Sequence, residues 1–109
     1  HAIEEKPLAV LDASTVAHDS MFTYALITDG PPALVGFNNS VGFAPAHEWF
    51  YFSKMTADEA LIFYTYDGTA PLEGPRFVFH TALGDTGGGG EAAAPPRRSI
   101  ECRCLALFS

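Results

Sequence analysis

Residues 47–68, HEWFYFSKMTADEALIFYTYDG, decide the fold class, because they hold two strand patterns separated by a single short turn. Residues 47–53 alternate between two well-filled faces, which is typical of a strand that packs on both sides. The TADE stretch at 56–59 matches a capping box, in which Thr56 begins a short helical turn and Glu59 reaches back to it. Residues 61–66 (LIFYTY) again favour a strand, and Asp67-Gly68 predicts the turn that closes it.

Further strand patterns lie on both sides of this stretch. They are 7–12 (PLAVLD), 21–28 (MFTYALIT), 76–83 (RFVFHTAL) and 97–108 (RRSIECRCLALF). DGPP at 29–32 is a breaker, 33–46 is predicted to be a loop with a turn at Asn38-Asn39, and 85–96 (DTGGGGEAAAPP) is a flexible loop by composition. About six strands with little helix, in one 109-residue domain, predict an antiparallel sheet, a sandwich or a jelly-roll-like barrel.

The charge balance limits the kinds of partner. Thirteen acidic and six basic residues give a net charge of −7, which disfavours nucleic-acid binding. No apolar run is long enough to cross a bilayer, so no membrane partner is expected. Arg97, Arg98 and Arg103 are half of the basic residues, and their clustering favours a pocket for a small anion.

The two cysteines, Cys102 and Cys104, lie two positions apart in the last predicted strand. Side chains at this spacing share a face but diverge along the strand, which is a poor geometry for a disulfide. A structural zinc site needs more thiol or imidazole ligands than this segment offers. We therefore predict two buried thiols in a reducing compartment, the cytoplasm.

The last predicted strand has two different faces. Its even positions are apolar after Arg98 and predict core, whereas its odd positions begin with Arg97, Ser99, Glu101 and Arg103. Inside a barrel, an arginine with a serine two residues away could hold a carboxylate through charge-assisted hydrogen bonds. On a solvent-exposed face, the same residues would form only a weak Arg103–Glu101 pair. The spacing alone leaves both interpretations open.

Four segments together resemble one protein family. PLAVLDAST (7–15), HEWFYFSKMTADEALIFYTYDG (47–68), FHTAL (79–83) and RRSIECRCLALF (97–108) occur in the order of the C-terminal portion of the fungal hydroxylase/desaturase family, which is related to the bacterial cephem methoxylase. That family belongs to the iron(II)/2-oxoglutarate-dependent oxygenases. The resemblance implies a mainly β fold, a partial double-stranded β-helix (jelly-roll or cupin-like), and oxidation of a small-molecule secondary metabolite by hydroxylation or desaturation.

The resemblance also assigns roles to particular residues. His80 matches the distal histidine of the 2-His-1-carboxylate iron site. Arg97 and Ser99 match the R-x-S pair that holds the distal carboxylate of 2-oxoglutarate. Arg103 matches a second arginine, which could hold that carboxylate instead or an acidic group of the substrate. The implied cofactors are therefore Fe(II) and 2-oxoglutarate.

Two aromatic residues receive a weaker assignment. Trp49 and Tyr51 match an aromatic strand of the family and could line the substrate cavity. Large aromatic side chains are equally suited to filling a core.

The chain departs from the family pattern in its metal ligands. None of the histidines, at positions 1, 18, 47 and 80, is followed two positions later by Asp or Glu, so the H-x-D pair of the family is not present. We expect this chain to be a truncated piece that lacks these ligands and is inactive alone. Glu48 and Tyr64 also replace an arginine and a lysine of the family pattern.

Three alternatives remain open. The chain could be a non-catalytic barrel that binds a small acid through its last strand, or a purely structural or interaction domain. A self-sufficient metal site could also use His47, Asp67 and His80. An incomplete barrel would leave sheet edges uncovered, so self-association is a further expectation.

Overall fold

The computed structural model of the chain describes residues 2–28, 30, 34–72, 74–84 and 95–108. Within these residues the fold is mainly β, as predicted, and its helical content is two 3-10 turns, Ala13–Thr15 and His18–Ser20. Three short strands, β1 (Leu8–Leu11), β4 (Trp49–Tyr51) and β5 (His80–Ala82), form one antiparallel sheet, and β2 (Met21–Thr28) and β3 (Leu34–Val41) form a second. Both sheets are small, and no closed barrel is formed by the described part of the chain.

β1 is the centre of the three-stranded sheet, in the order β4-β1-β5. Backbone hydrogen bonds extend its pairing beyond the strand ends: Leu11 N donates to Phe79 O at 2.8 Å, and Leu83 N donates to Pro7 O at 2.9 Å. Ala9 and Leu11 are buried, and they are the apolar core of the described residues. The predicted strand 7–12 is confirmed, since a strand paired on both sides needs the short apolar run found there.

The register of this sheet separates two groups of side chains. Val10 lies opposite Phe50 on β4 and opposite His80 on β5, whereas Leu11 lies opposite Trp49. Directly paired residues share a face and successive residues alternate. His80 therefore projects from one face of the sheet, and Trp49 projects from the other, the face of the buried Leu11.

The turn after β1 is held by Asp12. Its Oδ1 accepts from Ser14 N at 2.8 Å and from Ser14 Oγ at 2.7 Å, and these two hydrogen bonds lower the pKa of the Asp12 carboxyl. Thr15 Oγ1 in turn accepts from Glu48 N at 3.2 Å. The two 3-10 turns thus lead from β1 to β2, and the Thr15–Glu48 hydrogen bond ties the first of them to the residue before β4.

The second sheet is a hairpin that the sequence predicts only in part. β2 matches the predicted strand 21–28, and all eight of its residues pair with β3. The prediction of a loop over 33–46 with a turn at Asn38-Asn39 is wrong, because both asparagines lie inside β3. Asn and Gly are depleted in strands, but pairing along an eight-residue neighbour outweighs so weak a preference. Of the predicted DGPP turn only Gly30 lies within the described residues.

Three other predicted strands differ from the structure. Only His80–Ala82 of 76–83 is a strand, and neither 61–66 nor 97–108 is one. Segment 61–67 runs beside 75–79, but the backbone contact between them is the single hydrogen bond from Asp67 N to Arg76 O, 2.8 Å. Residues 95–108 make no backbone hydrogen bond to the rest of the described chain. An extended segment becomes a strand only when a neighbouring segment exchanges backbone hydrogen bonds with it along its length.

The predictions of a core face and buried thiols in the last segment are therefore wrong. Ile100 is 97% exposed, and Cys102 and Cys104 are exposed free thiols. The physical reason is that, among the residues described, no neighbouring strand pairs with this segment and no other layer covers it. A cytoplasmic location consequently stays a prediction. The predicted loop at 85–96 lies outside the described residues except for its last two positions.

The TADE stretch forms a turn in which Glu59 reaches back to Thr56, as predicted. Glu59 Oε2 accepts from Thr56 N at 2.8 Å, and Glu59 N donates to Thr56 O at 3.3 Å. The chain reverses here without building a helix. In the described residues generally, no helix is both long and apolar enough to cross a membrane.

Candidate functional site

One cavity of about 340 Å³ lies between the hairpin and the strand that carries His80. It brings together two of the predicted site residues, His80 and Arg103, which are 23 positions apart in the chain. Its volume is within the range of small-molecule sites. The cavity, called the His80–Arg103 cavity below, is lined by Phe37, Asn38, Asn39, Thr65, Tyr66, Phe77, Val78, Phe79, His80 and Arg103.

His80 is held by its strand and by two contacts of its ring. Its backbone pairs with Val10, its Nδ1 lies 3.3 Å from Val78 O, and its ring centroid lies 4.9 Å from that of Phe63. Because a carbonyl oxygen only accepts, this contact favours a proton on Nδ1 and leaves the lone pair on Nε2. A backbone carbonyl on one ring nitrogen is the usual support for a metal-binding histidine.

Aromatic rings form the apolar wall of the cavity. Tyr66 and Phe77 have ring centroids 5.4 Å apart, and Phe77 and Phe79 have centroids 6.2 Å apart. The Arg76 guanidinium lies 5.3 Å from the Tyr66 ring centroid, and its Nη2 donates to Gly68 O at 3.0 Å. Arg76 therefore fixes the turn that follows Tyr66 and holds this ring in place.

The carboxylate of Asp67, next to this wall, already accepts hydrogen bonds within its own turn. Asp67 Oδ1 accepts from Thr69 Oγ1 at 2.6 Å and from Thr69 N at 2.8 Å. These hydrogen bonds, with a smaller contribution from the charge of Arg76, lower the pKa of the Asp67 carboxyl. Asp67 therefore stays ionised and serves the turn at 67–69, and it does not line the cavity.

Arg103 reaches the cavity from the last segment. Its Nε donates to Glu101 Oε1 at 2.9 Å, and its side chain is 83% exposed. An exposed ion pair of this kind contributes little energy, so Glu101 competes weakly with any anion that enters the cavity. The predicted Arg103–Glu101 pair is thus present, and it does not remove Arg103 from the cavity.

Arg97 and Ser99 lie elsewhere. Arg97 Nη1 donates to Lys6 O at 2.8 Å, which ties the last segment to the residues before β1, and Arg97 does not line the His80–Arg103 cavity. Ser99 is exposed, and it does not line the cavity either. Their assignment to 2-oxoglutarate stays a prediction.

Trp49 and Tyr51 are also apart from His80. Tyr51 pairs with Ala9 and Trp49 with Leu11, so both lie on the face of the sheet opposite to His80. Both side chains are about half exposed. Their role as substrate-lining residues stays a prediction, and the aromatic lining next to His80 comes from Tyr66, Phe77 and Phe79 instead.

Asn39, which lines the cavity together with Asn38, is a polar residue that the sequence did not predict at this site. Its Oδ1 accepts from Thr23 Oγ1 at 2.7 Å, across the two strands of the hairpin. In the sequence, the pair Asn38-Asn39 predicts a turn, although it lies within a strand. The hydrophobic pattern of β2 continues into β3 through Val35 and Phe37, and this continuation was the feature that could have revealed the strand.

The described residues do not hold a complete metal site. No group of three or more His, Cys, Asp or Glu side chains is placed to bind a metal ion in the described parts of the chain. The alternative site built from His47, Asp67 and His80 is therefore wrong. Asp67 is engaged by Thr69, and His47 Nε2, which is buried, has no hydrogen-bond partner among the described residues and no metal-binding group beside it there. An iron ion finds one suitable imidazole here, His80, and this does not fit a facial site of three protein ligands.

The sequence profile of a family described as "Oxidoreductase/YMDC permease-like domain" matches residues 1–107. The chain belongs to this oxidoreductase family. It is similar to the hydroxylase/desaturase efuI of Hormonema carpetanum, with 34% identity over 97% of this chain and 37% of the relative. It is also similar to the hydroxylase/desaturase CTB9 of Cercospora beticola, with 33% identity over 97% of this chain and 33% of the relative.

A third relative carries a cofactor class in its own name. The Fe(II)/2-oxoglutarate-dependent dioxygenase nvfI of Aspergillus novofumigatus is 32% identical over 91% of this chain and 34% of its own length. The resemblance to the fungal hydroxylase/desaturase family is thus confirmed, and with it the oxygenase character of the family. The chain spans about a third of the length of these curated relatives. No solved structure matches it.

Proposed function

We propose that the chain supplies part of the active site of a hydroxylase/desaturase that uses iron(II) and 2-oxoglutarate to oxidise a small molecule. In this proposal the dicarboxylate cosubstrate occupies the His80–Arg103 cavity. The observation that supports it best is the convergence of one imidazole and one guanidinium on a single cavity of small-molecule size. The names of the relatives support the same chemistry at the level of the family.

The charges in the cavity favour an anion. Arg103 is the cation among the lining residues, and none of them is a carboxylate. The chain as a whole has a net charge of −7, so an anion meets repulsion over most of the surface and attraction at this position. A guanidinium is well suited to a carboxylate because it presents parallel N–H donors.

His80 contributes a metal-facing nitrogen in this proposal. Its Nε2 is the ring nitrogen with the free lone pair, since Nδ1 contacts Val78 O. A bound iron(II) would supply the activation of oxygen, which no protein side chain can provide. Because one imidazole does not hold iron in a usable geometry, we infer that the described residues alone do not turn over substrate.

A titration with 2-oxoglutarate in the absence of metal tests the cavity. The chain should bind the dicarboxylate, and Arg103→Ala should weaken the affinity by about tenfold or more, since a hydrogen-bonded charge pair is lost. Arg98→Ala removes an exposed arginine from the same segment and is the matched control. Calorimetric titration of the three proteins gives the comparison.

Two results would contradict the proposal. One is the absence of dicarboxylate binding by the unaltered chain. The other is an affinity that falls equally in Arg98→Ala and Arg103→Ala, because the effect would then come from net charge and not from the cavity. Arg97→Ala, included as a fourth protein, shows whether the arginine predicted from the R-x-S pattern contributes instead.

A non-catalytic module that binds a small acid is the second candidate. It is favoured by the single imidazole, since acid binding through Arg103 needs no metal. The two candidates differ in their response to iron(II) under anaerobic conditions. For a part of an oxygenase site, iron(II) tightens 2-oxoglutarate binding through His80, and His80→Ala removes that gain. For a simple acid-binding module, neither iron nor His80→Ala changes the affinity.

A further inference from the structure

The hairpin carries polar groups, Asn38 and Asn39, into a cavity that is also lined by aromatic rings. Asn39 and Phe37 lie on the same face of β3, two positions apart, and both line the His80–Arg103 cavity. On the paired strand, Thr23 and Ala25 are their direct neighbours. This face of the hairpin therefore presents one apolar and one amide side chain towards the strand of His80.

The amide of Asn39 has a defined orientation. Thr23 Oγ1 donates to Asn39 Oδ1 at 2.7 Å, so the carbonyl oxygen of the amide is used within the hairpin. An asparagine amide has an acceptor end and a donor end, and engaging the acceptor end leaves the two N–H donors of Nδ2 available. No other hydrogen bond of Asn39 occurs within the described structure.

The hydrogen bond from Thr23 accounts for the acceptor end of Asn39 within the hairpin, but not for its donor end. Asparagine weakens a strand, and Asn39 occupies the interior of β3, where a branched residue would pair better with Thr23. A residue that opposes its local structure is expected where function requires it. Small-molecule cavities typically combine apolar walls with a few fixed polar groups that orient the ligand.

We propose that Asn39 is a specificity-determining residue of the His80–Arg103 cavity. Its Nδ2 donates to an oxygen of the carboxylate-bearing ligand that Arg103 binds, and Thr23 is the positioning residue that turns the donor end of the amide towards the ligand. This inference rests on the proposed function, because it names a second contact of the same bound anion. The ligand class is a small acid with at least one oxygen acceptor beyond the atoms that the guanidinium engages.

Substitution of the donor tests the contact directly. Asn39→Asp keeps the size of the side chain but replaces two donors by a negative acceptor, and it should weaken 2-oxoglutarate binding by about tenfold or more. Ser40→Asp is the matched control, because it adds the same charge one residue away on the opposite face of β3. It should leave the affinity within about twofold of the original.

Substitution of the positioning residue separates orientation from folding. Thr23→Val keeps the shape and strand preference of the side chain but removes the hydroxyl, so it should weaken binding several-fold. Thr23→Ser keeps the hydroxyl and should bind with the original affinity. A purely structural role of Thr23 would instead affect Thr23→Ser at least as strongly, because Val is the better strand residue. Amide NMR spectra show whether each variant keeps the hairpin.

The outcomes separate this inference from the proposed function. If the unaltered chain binds no 2-oxoglutarate, the proposed function fails, and the Asn39 contact fails with it. If Arg103→Ala weakens binding while Asn39→Asp does not, only the Asn39 contact is overturned. If glutarate, which is 2-oxoglutarate without the keto oxygen, binds Asn39→Asp as well as it binds the original chain while 2-oxoglutarate binds the variant more weakly, the Asn39 donor faces the keto end of the ligand. Equal losses with both acids place it at a carboxylate.

Discussion

The imidazole of His80 and the phenyl ring of Phe63 lie 4.9 Å apart between centroids, tilted by 60°. Phe63 belongs to a segment that forms no strand, so the ring contact is one of the few interactions that hold residues 61–67 against the sheet. The same contact restricts the histidine ring, whose Nδ1 is directed to Val78 O. The orientation of the His80 ring thus depends on a packing contact as well as on the strand.

Removing the Phe63 ring should loosen His80 and lower stability. Phe63→Ala deletes a partly buried ring and is expected to reduce the free energy of unfolding by about 1–2 kcal/mol, less than for a fully buried phenylalanine. Urea unfolding measures this change. Phe52→Ala is the control, since Phe52 is half exposed and makes no ring contact in the described structure. Equal losses of unfolding free energy in the two variants would show that the contact between Phe63 and His80 adds no stability of its own.

The Asp67 turn should weaken in acid. The hydrogen bonds from Thr69 lower the pKa of Asp67 below its ordinary value of 3.8, so its ionised form is favoured in the folded chain. A carboxyl with a lowered pKa stabilises the fold above its ordinary value, and this contribution disappears as the pH falls through the lowered value. Asp67→Asn should therefore be less stable than the original at neutral pH and lose less on acidification.

Thermal unfolding at a series of pH values from 7 down to about 2 checks the Asp67 prediction. Asp58→Asn is the control, because Asp58 accepts no hydrogen bond from the described residues. If both variants follow the same acid profile as the unaltered chain, the turn at 67–69 does not depend on the charge of Asp67.

A glycine at position 54 should stabilise the chain. Lys54 has φ of 56°, in the left-handed region that side chains with a Cβ disfavour, yet its N donates to Ile3 O at 3.1 Å. Lys54→Gly removes the steric cost but increases the freedom of the unfolded chain, so a net gain of about 0.5–1 kcal/mol is expected. Lys54→Ala keeps the Cβ and should show no gain. A lower melting temperature for Lys54→Gly than for Lys54→Ala would show that residue 54 does not adopt the left-handed conformation.

The exposed end of the hairpin face that also carries Phe37 and Asn39 should promote self-association. Ile27 and Val35 are paired neighbours that are 65% and 60% exposed, and they form an apolar patch beside the free strand edges. Substituting both by Thr keeps the strand preference and removes apolar area, so it should shift the chain towards the monomer. Sedimentation at several concentrations measures this. A monomer at all concentrations before substitution would contradict the expectation, and Leu72→Thr controls for loss of exposed apolar area elsewhere.

The sequence predicted those elements whose pattern is local. The strand at 21–28 and the central strand at 7–12 carry their own hydrophobic signal, and Glu59 reaches back to Thr56 as the TADE spacing indicates. β3 was missed because two asparagines interrupt its pattern, and its strand character comes from pairing with β2. Pairing of this kind is a property of two segments and cannot be inferred from one.

The candidate site was predictable to a similar degree. The resemblance assigned His80 a metal-binding role that stays a prediction, and the structure has this residue at the start of β5 beside a cavity. It could not decide between Arg97 and Arg103, because that choice depends on where an extended segment without backbone partners runs. Arg97 contacts Lys6 O and Arg103 reaches the cavity, so tertiary placement distinguishes two arginines that the pattern treats alike.

The most direct test of the His80–Arg103 cavity is the NMR signal of the His80 ring during a metal-free titration with 2-oxoglutarate. The Hε1 resonance should shift with the same affinity that calorimetry gives, and it should shift equally in Arg97→Ala and Arg98→Ala. In Arg103→Ala it should not move over the same concentration range. A shift that survives Arg103→Ala but is lost in Arg97→Ala would contradict the account, as would a His80 signal that never responds to the dicarboxylate.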